Sequence, residues 1–154
     1  MSHANIALFV PHAGCPHNCS FCNQKKISGQ VKPLTPEDVL AAAERAAQCG
    51  TDRLSTELAF FGGSFTAIER GYMVSLLESA KEARKRYCSF SGIRISTRPD
   101  AIDGEILSLL SSYGVTAIEL GAQSTDENVL KLNERGHTYG DIVNASHLIR
   151  SGGF

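Results

Sequence analysis

Short apolar segments alternate with longer amphipathic segments along the chain. Four apolar runs of strand length predict β-strands over residues 5–11, 57–61, 92–97 and 117–121. The segments between them place apolar residues at helical spacing and predict helices. One such stripe consists of Met73, Leu76, Leu77 and Ala80, and another of Ile106, Leu109, Leu110 and Tyr113.

Helix start signals mark several of the amphipathic segments. A residue that can cap a helix, followed three positions later by an acid, occurs at Thr35 with Asp38, Thr66 with Glu69, Ser124 with Glu127, and Thr138 with Asp141. Pro36 stands at the first position of the first of these helices, and Gly50 is predicted to end it. The spacing predicts helices that begin at these four positions.

The order of strand and helix repeats four times, which predicts an α/β fold. Alternation of this kind gives right-handed crossovers and a parallel sheet with alternating helices. In such folds the functional site forms at the carboxyl ends of the strands. The polar or glycine-rich segments each follow a predicted strand directly: the cysteine loop, "GGSFT", "STRPD" and "GAQS". We therefore expect these four segments to line one site.

Composition places the chain among ordinary soluble domains. It has 154 residues, 42% hydrophobic and 20% charged, with a formal net charge of −1. This balance gives no electrostatic argument for a nucleic-acid or anionic membrane partner. The sequence has no apolar run of membrane-spanning length and no signal-peptide pattern at its start, so a cytoplasmic location is expected. Thiols stay reduced there, and the odd number of cysteines, five, also argues against a disulfide framework.

Three of the cysteines form a compact motif. Cys15, Cys19 and Cys22 have the spacing C-x3-C-x2-C, and no fourth cysteine follows nearby. A structural zinc site would need a fourth ligand, such as His12. A redox pair of Cys19 and Cys22 would leave Cys15 unexplained. A 4Fe–4S cluster held by three thiolates would keep one iron open for a substrate or cofactor, and the spacing favours this third interpretation.

The cysteine motif, with Phe21 just before the last cysteine, resembles the cluster motif of radical S-adenosylmethionine enzymes. The resemblance extends through "AFFGGSFTAI", "IRISTRPDAI" and "IELGAQSTDENVLKLNERGHT", which are similar to the branch of the Elongator catalytic subunit and its shorter bacterial relatives. It implies that the sheet is the N-terminal four βα units of a partial (β/α)6 barrel. Residues 1–154 would then be the N-terminal portion of the core, ending before a fifth strand.

The resemblance also implies a reaction. Cys15, Cys19 and Cys22 would hold an iron–sulfur cluster whose open iron binds S-adenosylmethionine. One electron from a flavodoxin-type or ferredoxin-type reductant would cleave the sulfonium and give a 5′-deoxyadenosyl radical. The substrate is unassigned, with transfer RNA a candidate by resemblance alone, and no further catalytic residue is identified. The competing class is a non-enzymatic zinc module with three cysteines and one histidine, which would bind a partner.

Seven residues correspond to cofactor contacts in the family: Phe21, Gly62, Gly63, Ser64, Ser96, Gln123 and Arg135. The resemblance implies that Phe21 lies near the adenine, and that the glycines and Ser64 accept hydrogen bonds from the ammonium group. It also implies that Gln123 approaches the ribose and that Arg135 pairs with the carboxylate. Ser96 is a departure, because relatives commonly carry there a glutamate that accepts the ribose hydroxyls.

Two charged residues near these positions have no clear ligand role. Arg98 is expected either to be structural or to pair with an acid such as Asp100. Glu119 is an inward polar group of the fourth predicted strand and is left unassigned. Without the resemblance, the paired glycines would indicate an ordinary strand-to-helix turn, and Arg135 a solvated cation near the end of a helix.

Overall fold

The computed structural model describes residues 4–10, 19–20, 22, 32–50, 55–87 and 90–154. Its strands are β1 (Ala4–Val10), β2 (Thr56–Gly62), β3 (Gly92–Thr97) and β4 (Val115–Leu120). Its helices are α1 (Pro36–Gln48), α2 (Arg70–Tyr87), α3 (Gly104–Ser112), α4 (Glu127–Leu132) and α5 (Tyr139–Ser151). Short 3₁₀ helices at Phe65–Ala67 and Pro99–Ala101 follow β2 and β3. None of the helices in these ranges combines the length and apolarity needed to cross a membrane.

The strands form one parallel sheet in the order β1-β2-β3-β4. Leu8, Phe60, Ile95 and Ile118 lie side by side across it. The predicted α/β class and parallel sheet are therefore confirmed. A register shift at Ile93/Arg94 interrupts the pairing of β3 with β4. Because all four strands run in one direction, the segments that follow them meet at one edge of the sheet.

The two faces of the sheet differ in character. One face packs against the helices, and the two together form the apolar core. The sheet contributes Leu8, Leu58, Phe60, Ile93 and Ile95, and the helices contribute Val39, Met73, Leu76 and Leu77. The other face has the alternate residues of the strands, among them Glu57, Arg94, Ser96 and Glu119. We call these four residues the polar face. A parallel strand covered by helices on both sides would be apolar throughout. The polar face therefore indicates a side of the sheet that does not serve as apolar core.

The predicted apolar stripe of helix α3 packs against the core, and Leu107 is buried in addition. Leu107 and Leu110 are buried, whereas Ile106, Leu109 and Tyr113 are half-buried at the margin of the core. The prediction did not include Leu107, which lies outside that stripe. The helix also faces α5, and Leu107 lines a cleft with residues of that helix.

Two of the four predicted helix starts are confirmed. Thr35 and Thr138 cap α1 and α5, each in a reciprocal capping box with the acid three positions later. The predicted start of α4 at Ser124 is wrong by two residues. Asp126 caps that helix because its carboxylate accepts hydrogen bonds from the amides of Asn128 and Val129, while Ser124 Oγ accepts one from the amide of Asp126.

The predicted start at Thr66 is also wrong. Glu69 lies directly before α2, and its two carboxylate oxygens accept hydrogen bonds from the amides of Gly71 and Tyr72, both at 2.7 Å. These hydrogen bonds hold the pKa of Glu69 below its usual value. Glu69 therefore satisfies the amides of the first turn, and the Thr66 hydroxyl is free to bond elsewhere.

Candidate functional site

Two of the three motif cysteines lie in a single tight turn. The Cys22 amide donates a hydrogen bond to the Cys19 carbonyl at 2.9 Å. Cys19 is buried and Cys22 is half-buried. Cys15 and Phe21 lie outside the described residues, so their roles stay predictions. Within the part of the chain that the structure describes, no three His, Cys, Asp or Glu side chains come together as a metal site.

The cysteine turn is attached to the end of α4. The Ser20 amide donates to the Asn133 carbonyl at 3.3 Å, and the Ser20 hydroxyl donates to the Asn133 side-chain oxygen at 2.7 Å. Asn133 is the residue that ends α4. The segment after β1 is thereby brought against the segment after β4, as the sequence predicted for loops that share one edge of the sheet.

Arg135 makes the second attachment of the cysteine turn. Its Nη1 donates a hydrogen bond to Cys19 Sγ at 3.1 Å, and its Nη2 donates to the Gly121 carbonyl at 2.6 Å. The residue is only 8% exposed. Gly121 directly follows β4, so one guanidinium joins a motif cysteine to the carboxyl end of a strand. The predicted pairing of Arg135 with a ligand carboxylate stays a prediction.

Gly62, the first of the paired glycines, occupies a position where any side chain would be strained. Gly62 has φ +116°, and a Cβ atom there would lie 2.4 Å from the Val10 carbonyl oxygen. The amide of Gly63 donates to the same carbonyl at 3.0 Å. The ends of β1 and β2 therefore approach each other closely, and the backbone rather than a side chain forms the surface at this point.

Ser64, Thr66 and Thr97 form a buried hydroxyl cluster beside the glycines. Ser64 Oγ lies 2.9 Å from Thr97 Oγ1 and accepts a hydrogen bond from the Arg98 amide at 3.1 Å. Thr66 Oγ1 donates to the Ala101 carbonyl at 2.6 Å. The cluster ties the turn after β2 to the end of β3. The predicted contact of Ser64 with a ligand ammonium group stays a prediction. In the structure, the Ser64 hydroxyl bonds to other residues of the protein, Thr97 and Arg98.

Arg98, a buried residue, forms an ion pair with Asp100, which is partly exposed. Its Nε and Nη2 donate to the two carboxylate oxygens at 2.9 and 3.0 Å, and Nη2 also donates to the Arg135 carbonyl. The structure thus has the ion pair that the sequence suggested. Because Arg98 also holds the backbone of Arg135, the segment after β3 helps to position the residue that contacts Cys19.

His137 completes this buried group, although no role was predicted for it. Its Nε2 lies 3.2 Å from the Ala122 carbonyl. Burial is the main cause that lowers the pKa of His137, and the charges of Arg135 and Arg98 lower it further. The Ala122 hydrogen bond and Asp100 act in the opposite direction. Local sequence offers no physical reason to select this histidine, since the contact depends on the path of the chain after β4.

Gln123 and Ser96 occupy different parts of the site. Gln123 has φ +68°, in the left-handed region, and lines a pocket of about 200 Å³. The pocket is also lined by Arg135 and Asn133, which contact the cysteine turn. Ser96 lies on the polar face, and its hydroxyl donates to Glu119 Oε2 at 3.1 Å. The structure therefore brings Gln123 next to the cysteine turn, and places Ser96 on the sheet itself.

The donor set fits an iron–sulfur cluster held by thiolates. Cys19 and Cys22 lie one turn apart, and Cys15 precedes Cys19 by four positions. Gly62 lets the end of β2 lie close to the end of β1, and Arg135 supplies a cation beside Cys19. A cluster with one open iron needs thiolate ligands, and an anionic group of a ligand bound there needs a cation nearby. The cysteines and Arg135 offer both kinds of group.

A sheet of parallel strands with cysteines, glycines and a buried arginine at its carboxyl edge defines a barrel-type enzyme core of the α/β class. Residues 9–154 match the family model described as the radical SAM superfamily. Because this match covers nearly the whole chain, the chain belongs to that superfamily, as the sequence motifs predicted. The match confirms the predicted family.

Several relatives lie on the predicted Elongator-related branch. The chain is 27% identical over 96% of its length to a tRNA uridine(34) acetyltransferase of Dehalococcoides mccartyi, of which it covers 39%. It is 30% identical over 72% of its length to human Elongator complex protein 3, of which it covers 23%. Coproporphyrinogen III oxidase from Escherichia coli shares the fold of this chain, with a TM-score of 0.64 and 19% sequence identity. The similarity covers 99% of this chain and 36% of the oxidase. The chain thus spans well under half of these relatives.

Proposed function

We propose that residues 1–154 form the N-terminal part of a radical S-adenosylmethionine enzyme core. The observation that carries the proposal is the double contact of Arg135, which joins Cys19 to the Gly121 carbonyl at the end of β4. This contact supports a site in which the cysteines and the carboxyl edge of the sheet act together. Membership of the superfamily supports the type of chemistry.

Cys15, Cys19 and Cys22 would hold a 4Fe–4S cluster. When bound, such a cluster supplies the single electron that cleaves the sulfonium of S-adenosylmethionine. The protein's own part is to hold the thiolates and the ligand. Arg135 provides the cation beside the cysteine turn, and Gly62 allows the ends of β1 and β2 to come together at the edge of the sheet where the ligand would bind.

The remaining predicted contacts complete the proposed ligand site. The carbonyls of Gly62 and Gly63, with Ser64, would accept from the ammonium group, and Arg135 would pair with the carboxylate. Gln123, in the pocket beside Arg135, would approach the ribose. The predicted ribose contact of Ser96 would be made through its neighbour Glu119 on the polar face, and Phe21 would lie near the adenine.

Transfer RNA is the substrate class that we propose for the whole protein. The support is the activity of a relative, a tRNA uridine(34) acetyltransferase that is 27% identical to this chain. A flavodoxin or ferredoxin would serve as the one-electron reductant, and the protein would act in the cytoplasm. The formal net charge of −1 provides no electrostatic attraction for RNA, so RNA contacts would depend on a local surface.

Anaerobic reconstitution with iron and sulfide tests the proposal. We expect about four irons and matching sulfide per chain, with a broad absorption that is lost in Cys15→Ala, Cys19→Ala and Cys22→Ala. Cys49→Ala is the matched control, because Cys49 is an exposed residue at the end of α1. Stoichiometric zinc without sulfide would overturn the proposal and favour the zinc module. Adding S-adenosylmethionine to the reduced cluster should then change its electron paramagnetic resonance spectrum.

A further inference from the structure

Glu119 and Ser96 form a pair of oxygen groups on the polar face. The two residues are direct neighbours in the register of β3 and β4. The Ser96 hydroxyl donates to Glu119 Oε2 at 3.1 Å. The Glu119 side chain is nevertheless 46% exposed. A carboxylate held at a fixed position by its neighbour, yet open on one side, can receive donors from a ligand.

Arg94 balances the charge of this carboxylate only weakly. Its Nε donates to Glu57 Oε2 at 2.7 Å, whereas its Nη1 reaches Glu119 Oε1 only at 3.4 Å. Glu57 is the more buried of the two acids. The short, buried contact is the stronger one, so the charge of Arg94 is held mainly by Glu57. The polar face therefore has one carboxylate whose charge is only weakly balanced.

Glu119 retains acceptor capacity after these contacts. An ionised carboxylate offers about four lone-pair sites. The described contacts of Glu119 use two of them, one from Ser96 and one from Arg94. An exposed ion pair at 3.4 Å adds little stability, so fold stability alone is a weak reason for a glutamate at this position. A ligand with two adjacent hydroxyl donors would match the two oxygens of Glu119.

The position of Glu119 relative to Arg135 suits a nucleoside ligand. Gly121, whose carbonyl receives the Arg135 hydrogen bond, follows Glu119 by two residues. Two residues of extended chain span about 7 Å. A ligand whose charged end reaches Arg135 could therefore bring a neighbouring sugar to Glu119, on the same strand.

We propose that Glu119 accepts hydrogen bonds from the ribose hydroxyls of the bound S-adenosylmethionine, with Ser96 holding the carboxylate in place. The inference rests on the proposed function and adds a binding residue to it. In this chain the carboxylate that recognises the ribose comes from β4, beside a serine on β3. Glu119 is the binding residue, and Ser96 acts through it as a positioning residue.

Binding measurements on the cluster-loaded chain test this assignment without any turnover. The probes are S-adenosylhomocysteine, which lacks the sulfonium, and its 2′-deoxy analogue, both titrated calorimetrically under anaerobic conditions. We expect wild type to prefer the ribose form by about tenfold, because a hydrogen bond to a charged acceptor is lost in the analogue. Glu119→Gln should reduce this preference to about twofold or less, since the amide nitrogen cannot accept.

Three further variants make the test specific. Ser96→Ala should reduce the preference less than Glu119→Gln, because it leaves the carboxylate in the site. The exchange of the two residues, Ser96→Glu with Glu119→Ser, should restore it. Glu105→Gln is the control, because it removes an exposed acid of α3 that pairs with Arg70. Thermal unfolding of each variant shows whether it is folded.

The outcomes separate the inference from the proposed function. An unchanged ribose preference in folded Glu119→Gln would overturn the assignment of Glu119 while the cluster and the bound ligand remain. An equal loss of affinity for both probes would also overturn it, because it would show a role in structure rather than in ribose recognition. If wild type binds neither probe, both this inference and the proposed function fail.

Discussion

The Arg135 guanidinium donates to the Cys19 sulfur at 3.1 Å, across 116 positions of sequence. The same guanidinium holds the carbonyl of Gly121. Arg98, paired with Asp100, in turn holds the carbonyl of Arg135. The segments that follow β1, β3 and β4 are therefore connected through one buried arginine, and the position of a motif cysteine depends on residues far away in the sequence.

Replacement of Arg135 should destabilise both the fold and the cysteine turn. We expect Arg135→Ala to lower the free energy of unfolding by about 2–4 kcal/mol, because charge-assisted hydrogen bonds are lost and the Gly121 carbonyl loses this donor. Arg135→Lys should recover less than half of the loss, since an ammonium group lacks the planar fork that reaches two acceptors. Urea unfolding under reducing, anaerobic conditions measures the effect.

Arg86→Ala is the control for this experiment. Arg86 is exposed on α2 and pairs with Glu82 one helical turn away. Its removal should change the free energy of unfolding by less than about 0.5 kcal/mol. Equal effects of the two alanine variants would mean that the contacts of Arg135 contribute nothing particular to stability.

Gly62→Ala should be strongly destabilising. The backbone there has φ +116°, and the added Cβ would lie 2.4 Å from the Val10 carbonyl oxygen and 2.9 Å from a ring carbon of Phe9. Strain and overpacking together should cost about 2–4 kcal/mol. We also expect a lower iron content after reconstitution, because the end of β1 leads into the cysteine motif.

Gly104→Ala is the matched glycine control. A Cβ at Gly104 would meet nothing within 4 Å, and the residue opens α3. Alanine there should be neutral or stabilising by up to about 1 kcal/mol, because it reduces the freedom of the unfolded chain. Similar melting temperatures for the two variants would contradict the close approach of β1 and β2 seen at Gly62.

The sequence predicted what depends on local pattern and on chain order. The parallel sheet follows from the alternation of strand and helix. The caps at Thr35 and Thr138 follow from capping boxes in which no neighbouring residue takes over the capping position. The predicted start at Ser124 failed because Asp126, two residues on, offers a better-placed acceptor. Local pattern does not rank two candidate caps that stand so close together.

Contacts between distant segments could not be predicted in the same way. The Ser96–Glu119 hydrogen bond depends on the register of β3 and β4, which includes a shift at Ile93/Arg94. A shift of one residue would have moved Glu119 to the opposite face of the sheet. Motif resemblance selected Ser96 but not Glu119, since the resemblance compares positions one at a time and does not show which side chains meet.

Thr97→Val should show the contribution of the buried hydroxyl cluster. Valine keeps the shape of threonine but removes the oxygen that lies near Ser64 Oγ and Thr66 Oγ1. We expect a loss of about 1–3 kcal/mol, because buried polar groups are left with fewer partners. Ser108→Ala, which removes an exposed hydroxyl of α3, should stay within about 0.5 kcal/mol of wild type in the same urea titration. A loss in Thr97→Val no larger than this would contradict a structural role for the cluster.

His137 should make the stability of the protein depend on pH. Burial lowers its pKa in the folded state below the ordinary value of 6.5, so protonation favours the unfolded state. The stabilisation is therefore complete above pH 6.5 and is lost as the pH falls through the lower pKa of the folded state. We expect His137→Gln to lose less free energy of unfolding than wild type between about pH 8 and about pH 5.

Asp38, Glu69 and Asp141 also have lowered pKa values, but they are present in both proteins. His147→Gln, at an exposed position of α5, should keep the wild-type pH dependence, and the same dependence in His137→Gln would show that His137 is not the titrating group.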